Sequence, residues 1–421
     1  MASKVWFNRR EFLRGLFSLF AGGLIGRHFA GMGLANAQSP GPIYLPLISK
    51  APSSMIYGVR DIGIPDFSSA NYHPGVESLL TLMGQKGLKF YQHSETSDLA
   101  GPNGLIAAND VVLLKVNAQW KHRGCTNTDV LRGLIQRILD HPAGFSGEVV
   151  IVENGQGRGS FDSNQNYNGD TSTAANAENP AHTFNYLVRT VFSGRPVSAF
   201  LLDSVRSVQV SDNDHSTNGY RRLNPHPERQ SWYISYPCFT TAGGHRVELA
   251  RGLWSGSGYA QNLKLINMPV LKTHGGCGVT GALKLFYGVL SMSFSDSGYH
   301  YGRIGEVLGQ MFAHVRAPDL NIMDAIWVSY ASLGGYPPNT TSRQNILLAS
   351  TDPVALDYWA SKYVLYPIDQ NPNHHPDLPA QYTDSNLAQY LNAAGMEINA
   401  CNPIGGRPVN WSDSLITCCW T

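Results

Sequence analysis

Short, almost unbroken apolar runs punctuate this chain, each followed by a turn or by apolar residues at helical spacing. Residues 111–116 (VVLLKV) form the first run. Residues 127–140 follow it, with Val130, Leu134, Ile135 and Ile138 on one helical face and Thr126 or Asn127 placed as a cap. Residues 148–152 (EVVIV) form the second run. A strand, a helix and a strand at this spacing predict a βαβ unit and hence a parallel pair. Further strands are expected at 199–202, 263–267, 320–323 and 346–349, and helices at 281–290 and 353–364. The sum is an α/β fold, a mainly parallel sheet flanked by helices.

Three stretches break this pattern. Residues 155–180 are almost all Gly, Asn, Ser, Asp and Thr, and residues 211–236 are polar with scattered aromatics. From residue 371 to 421 the chain is rich in Pro and His and then irregular. They read as long loop insertions and an irregular C-terminal extension. Loops of this length act as lids or stay disordered.

The first 37 residues obey a different logic. Asn8-Arg9-Arg10-Glu11-Phe12-Leu13-Arg14 precedes an uncharged stretch at 15–26, and Ala35-Asn36-Ala37 supplies small residues for a signal peptidase. The apolar stretch is too short and glycine-broken for a stable bilayer span. This order predicts a twin-arginine signal peptide at 1–37 and the twin-arginine translocase as a partner during export. It predicts an extracytoplasmic location (periplasm, cell surface or secreted) with no stable membrane span after cleavage. Residues 38–54 are a proline-rich linker, and residues 55–370 hold the α/β domain.

Charge supports the division. Lys4, Arg9, Arg10, Arg14 and Arg27 against Glu11 give the leader +4, and the whole chain is +1, so the remainder carries −3. No basic stripe remains, which excludes a nucleic-acid binder. Only 14% of residues are charged, against 43 glycines and 24 prolines, as in a loop-rich extracellular globule. None of the six cysteines forms a C-x-x-C pair, so neither a cysteine zinc site nor an iron–sulfur cluster is expected. Cys401 with Cys418 or Cys419 would close a short loop; the alternative is free thiols.

The densest chemistry lies at 267–284 (NMPVLKTHGGCGVTGALK). A strand ends at a proline; Lys272-Thr273-His274, a glycine-rich loop and a helix carrying Lys284 follow. Glycine backbone and a helix N-terminus predict an anion cradle, with Thr273, Gly276, Gly278 and Thr280 as ligand contacts and Lys272 and Lys284 adding charge. His274 can serve as acid, base or metal ligand. The order is neither a Walker loop nor a dinucleotide fingerprint. Lys115 and Asn117 end the first strand, where ligands bind in parallel sheets. Asp203 and Asp324 occupy similar strand ends and, with His274, make a metal ion the cofactor option. Asp352 before Pro353 is a helix N-cap, Asp357 lies one turn further in, and Asp129 complements a helix end. His374-His375 reads as an exposed pair in a polar loop.

Leu113-Leu114-Lys115-Val116-Asn117, Thr128-Asp129, Ile266 through His274, Val279-Thr280-Gly281-Ala282-Leu283-Lys284 with Gly288, Ile322-Met323-Asp324 and Thr351 through Asp357 resemble the family called domain of unknown function 362. The order and spacing agree over about residues 108–366. The resemblance implies no activity. Many members carry ferredoxin-like cysteine clusters, which this chain lacks. Lys284-Leu285-Phe286-Tyr287-Gly288 stands where the family usually has Lys-Asn-Leu-x-Gly, and Lys115-Val116-Asn117 where it often has Lys-Pro-Asn.

Two readings follow. The first is an exported enzyme acting on a small carboxylate- or phosphate-bearing molecule, with Lys272, His274 and Lys284 as catalytic residues. The second is a non-catalytic extracytoplasmic protein that holds an anionic ligand or glycan in the same place.

Overall fold

The computed structural model describes residues 53–421 apart from 163–173, 225–232, 295–302, 380–385, 402–405 and 407. The leader and nearly all of the linker lie outside the described residues.

The strands in chain order are β1 (Ser54–Val59), the short pair β2 (Tyr91–Gln92) and β3 (Ala100–Gly101), β4 (Val111–Lys115), β5 (Glu148–Glu153) and β6 (Val197–Leu201). Then come β7 (Gly219–Leu223), β8 (Ile234–Thr240), β9 (Arg246–Glu248), β10 (Gly252–Trp254), β11 (Tyr259–Ala260) and β12 (Leu263–Asn267). The last are β13 (Val270–His274), β14 (Gly278–Thr280), β15 (Leu320–Ser329), β16 (Thr341–Ser350) and β17 (Ile416–Trp420). The principal helices are α1 (Pro74–Gln85), α2 (Thr128–Leu139), α3 (Ala282–Leu285), α4 (Ile304–Gln310), α5 (Pro353–Ala360) and α6 (Leu387–Cys401).

The main sheet runs β17-β1-β16-β15-β12-β4-β5-β6, and β13 continues alongside the C-terminal half of β15 with β14 hairpinned onto it. Pairing is parallel from β15 through β12, β4 and β5 to β6, and β16 runs against its neighbours. The expected mainly parallel α/β sheet is therefore present. All five residues of β4 and all six of β5 are buried, as continuous apolar runs covered on both faces should be. Val111 and Leu113 enter one core and Val112 and Leu114 the other, so the strand's alternation builds two cores at once. One holds α1 and α2; the other holds α3 to α6 and a second sheet.

The helix ends follow local rules. The Asn127 side chain accepts from the amides of Asp129 and Val130 at the start of α2. Asp352 accepts from Val354 and Ala355 at 2.9 Å each, with Pro353 opening α5. Both capping expectations hold.

Three expectations need correction. Residues 211–236 are not simply a loop: β7 and the start of β8 lie there, in a five-stranded antiparallel sheet ordered β11-β10-β9-β8-β7. Its strands carry Arg221 and Glu248, both buried, and an apolar pattern does not reveal strands that bury charge. The 281–290 helix is one turn of α3 followed by a 3-10 turn at Phe286–Val289. The C-terminal segment is not irregular: α6 packs against α4, and β17 pairs in parallel with β1.

Candidate functional site

β4 lies between β12 and β5, and the chain order reverses direction there, with β12 on one side and β5 and β6 on the other. Such a switch point leaves a crevice beyond the strand ends. A cleft of about 560 Å³ occupies it, walled by Asn117, Trp120, Glu153, Lys272, His274 and Lys284.

Lys115 ends β4 and is completely buried. It lies beneath the cleft wall. Its Nζ donates to Glu153 Oε1 and to the Val116 carbonyl, each at 2.8 Å, and Glu153 Oε2 accepts from the Ala118 amide at 2.9 Å. Burial pulls Lys115 down and Glu153 up from their usual values, and the attraction between them opposes both. The pair needs Gly288: a Cβ there would stand 2.6 Å from Glu153 Oε1 and 3.0 Å from Lys115 Nζ.

Alternation along β13 puts Lys272 and His274 on the cleft and turns Thr273 away. Lys272 Nζ donates to the Gly124 carbonyl at 2.6 Å and lies 5.3 Å from the Trp120 ring centre. The side chain is 1% exposed. Burial, with the Lys284 charge adding to it, pushes the amine down to about 7. Lys284 in α3 is also buried, with Nζ 4.8 Å from the Tyr287 ring centre. Burial lowers its pKa too. Among the described residues neither Lys272 nor Lys284 is salt-bridged to a carboxylate. Asn117, 5% exposed on the cleft wall, has a buried Oδ1 with no hydrogen-bond partner among the described residues.

The glycine-rich segment plays a different part from the one its sequence suggests. His274 Nδ1 accepts from the Gly276 amide at 3.0 Å, which shapes the β13–β14 turn and leaves the neutral ring's proton on Nε2. The amides at the start of α3 are not free for a ligand. Ala282 donates to Asp357 Oδ1 at 2.6 Å and Leu283 to Oδ2 at 3.0 Å. A Cβ at Gly281 would come within 2.2 Å of Asp357 Oδ1, so this glycine admits the carboxylate. Gly278 adopts φ +79° and faces the Asn373 carbonyl, 2.4 Å from where a Cβ would stand. The predicted cradle is thus filled by the protein's own acid.

The remaining expectations divide. Gly276 and Thr280 line the cleft with Lys272, His274, Lys284 and Asn117. Thr273 does not: its Oγ1 meets His374 Nε2 at 2.8 Å, and His374 Nδ1 meets Asp369 at 3.1 Å. His374 is buried, contrary to the reading of an exposed histidine pair. Asp203 accepts from the amides of Gly155, Gly157 and Gly159 at 2.5, 2.7 and 3.0 Å, clamping the loop that brings Arg158 to the cleft. Asp324 is buried under α2, accepting from Asn176 at 3.0 Å and from the Ile326 amide at 2.9 Å; burial pushes it up to about 7. Asp129 accepts from the Glu178 amide at 2.7 Å. Among the described residues no group of three or more His, Cys, Asp or Glu side chains is placed to hold a metal, so His274, Asp203 and Asp324 do not converge. All six cysteines are free thiols, and no bridge joins Cys401 to Cys418 or Cys419.

Sequence reasoning missed Glu153 and Trp120. Glu153 carried a usable signal, because it ends β5 as Lys115 ends β4; the apolar run was closed one residue early. Trp120 carried none, since it sits on a loop.

The fold and the cleft define an α/β protein with a cation-lined crevice at the C-terminal edge of a mainly parallel sheet. Residues 251–362, running from β10 through the end of α5, match the family model described as Domain of unknown function (DUF362). This supports the resemblance for the segment carrying Lys272, His274 and Lys284; β4 and β5 lie outside the matched residues. No curated protein and no solved structure matches the chain.

Proposed function

We propose that this chain is an exported enzyme that binds a small carboxylate- or phosphate-bearing molecule in the cleft and acts on it through its lysines. One observation carries the reading: Lys272 and Lys284 are both buried at the cleft with no carboxylate partner among the described residues. Burying an uncompensated ammonium costs several kcal/mol, and a bound anion would offset that cost. The Asn117 side-chain Oδ1 is a further acceptor without a partner among the described residues, and it suits a hydroxyl or N–H of the ligand.

The chemistry would divide as follows. Lys284 supplies charge toward the anionic group. Lys272 is positioned as base or nucleophile, since an amine near neutrality is reactive where an ordinary lysine is not. His274 on the rim, whose Nδ1 accepts from the Gly276 amide, would act in proton transfer. A metal held by His274, Asp203 and Asp324 is not part of this reading, because both carboxylates already serve backbone and amide donors. Export rests on the leader; replacing Arg9 and Arg10 by lysine should leave the precursor unprocessed in the cytoplasm.

Calorimetric titration of the mature chain with phosphate, sulfate and small carboxylates tests the site. Saturable binding to one site, weakened in Lys284→Met, is expected; no binding by the wild type would sink the proposal. A bound ligand that turns over marks the enzyme. A ligand held unchanged marks the non-catalytic binding protein.

A further inference from the structure

We propose that Lys272 captures the carbonyl carbon of a small 2-oxo acid as an imine, with Lys284 holding the acid's carboxylate. The inference rests on the anion-binding reading of the cleft and names its substrate class.

The geometry argues for a nucleophile at Lys272 in particular. Of Lys115, Lys272 and Lys284, Lys115 is spent: Glu153 and the Val116 carbonyl take its ammonium, and it lies behind the wall. Lys272 lines the cleft, and among the described residues its one hydrogen bond goes to the neutral Gly124 carbonyl. That bond fixes the nitrogen while using only one of its N–H groups. Among the described residues no carboxylate is paired with the Lys272 ammonium. The Lys284 charge, on the same cleft wall, disfavours a second one at Lys272, as one buried cation does beside another. Among the described residues Lys284 Nζ meets the Tyr287 ring and no hydrogen-bond acceptor, so its donors are left for a ligand. A carboxylate on Lys284 with an adjacent carbonyl directed to Lys272 fits two cations of unequal task. Trp120 closes the apolar side of this pair, 5.3 Å from Lys272 Nζ. The Asn117 Oδ1 acceptor meets a hydroxyl of the addition intermediate.

The step needs no oxidant or metal. The Lys272 lone pair bonds to the carbonyl carbon as the C=O π pair moves to oxygen, which takes a proton to give a carbinolamine. The nitrogen then loses its proton, the hydroxyl leaves with a second proton as water, and the C=N bond forms. His274 at the rim is placed to exchange these protons.

The test incubates the mature full chain with pyruvate and, separately, 2-oxoglutarate in the presence of sodium borohydride, which reduces an imine to a stable secondary amine. Intact mass and peptide mapping then locate the adduct. Expected is a single adduct at Lys272, absent from Lys272→Arg, which keeps the charge without the nucleophile, and at least tenfold less abundant in Lys284→Met. Circular dichroism establishes that both variants are folded. Adducts only on exposed lysines, or none with either acid, overturn the proposal. Calorimetry with the same acids separates the two failures. Binding without trapping leaves the anion site standing and removes the imine, whereas no binding removes both.

Discussion

Two clusters of buried charge lie in this molecule, and one is complete while the other is not. In the second sheet, Glu248 is fully buried and Arg221 is 1% exposed. Arg221 pairs with Glu248 Oε2, Tyr259 Oη reaches the same oxygen at 2.5 Å, and His215 Nδ1 meets Oε1 at 2.5 Å. Arg221 also donates to the Asp214 carbonyl at 2.8 Å and the Ser211 carbonyl at 3.2 Å. His215 stacks on Trp254 with ring centres 3.8 Å apart. Arg221, Glu248 and His215 each have a counterpart there. At the end of the main sheet only Lys115 has a carboxylate; Lys272 and Lys284 have none among the described residues. A satisfied buried network fixes a fold, whereas an unsatisfied one beside a cleft is the place proposed above for a ligand.

The sharpest way to break this comparison is to unbalance the complete cluster. Glu248→Ala leaves Arg221 buried without its anion. Loss of one partner of a buried pair costs about 3–5 kcal/mol. Urea unfolding should show that loss with anion binding in the cleft unchanged. A cost under 1 kcal/mol would mean the cluster is not the structural tie described.

The same operation on the incomplete cluster should have the opposite sign for stability. Lys284→Met removes a buried ammonium that nothing neutralises. Stability should hold or rise, while anion affinity falls about 10- to 100-fold, the worth of a charge-assisted hydrogen bond at about 1.5–3 kcal/mol. Destabilisation comparable with that of Glu248→Ala would show that Lys284 has a structural duty.

These contrasts bear on what the sequence could reveal. The parallel strands were legible because β4 and β5 are apolar throughout, and the caps at Asn127 and Asp352 because capping is local. Lys272, His274 and Lys284 were legible as a group because one segment carries them. What was hidden is long-range. Asp357 lies 75 positions beyond the Ala282 amide it caps, so a glycine-rich turn before a helix looked like an open anion cradle. Asp203 looked like a metal ligand until its three glycine amides were seen. The second sheet was missed because charged residues occupy buried positions, and α6 and β17 because a Pro- and His-rich lead-in obscured them.

The pH response sharpens the comparison further. Burial pushes Asp357 and Asp324 up to about 7, while an unfolded aspartate titrates near 3.8. Between these values the unfolded chain ionises first, so both groups make stability fall as pH rises from about 4 to 7, after which their effect is constant. Lys272 acts in the other direction. Its amine loses its proton near 7 when folded and near 10.5 when unfolded, so its contribution makes stability rise between those values. Unfolding free energies measured across this range should therefore show a rise above pH 7 in the wild type that is smaller in Lys272→Met, the remainder belonging to Lys115 and Lys284, which burial also lowers. Identical profiles would mean that the Lys272 ammonium is stabilised as well in the folded protein as in water.

The smallest effect is expected where the sequence drew most attention. Gly275 has no atom within 4 Å of where a Cβ would stand and does not adopt a positive φ. That sets it apart from Gly281 and Gly288, whose missing Cβ atoms make room for Asp357 and for the Lys115–Glu153 pair. Gly275→Ala should change stability by no more than about 0.5 kcal/mol. Anion affinity should also be unchanged, because lysine side chains rather than loop amides face the ligand. Calorimetric titration of this variant decides between side-chain and backbone recognition. A substantial loss of affinity would restore the glycine-rich loop as a backbone cradle and would demote the contrast between paired and unpaired lysines from the cause of binding to its accompaniment.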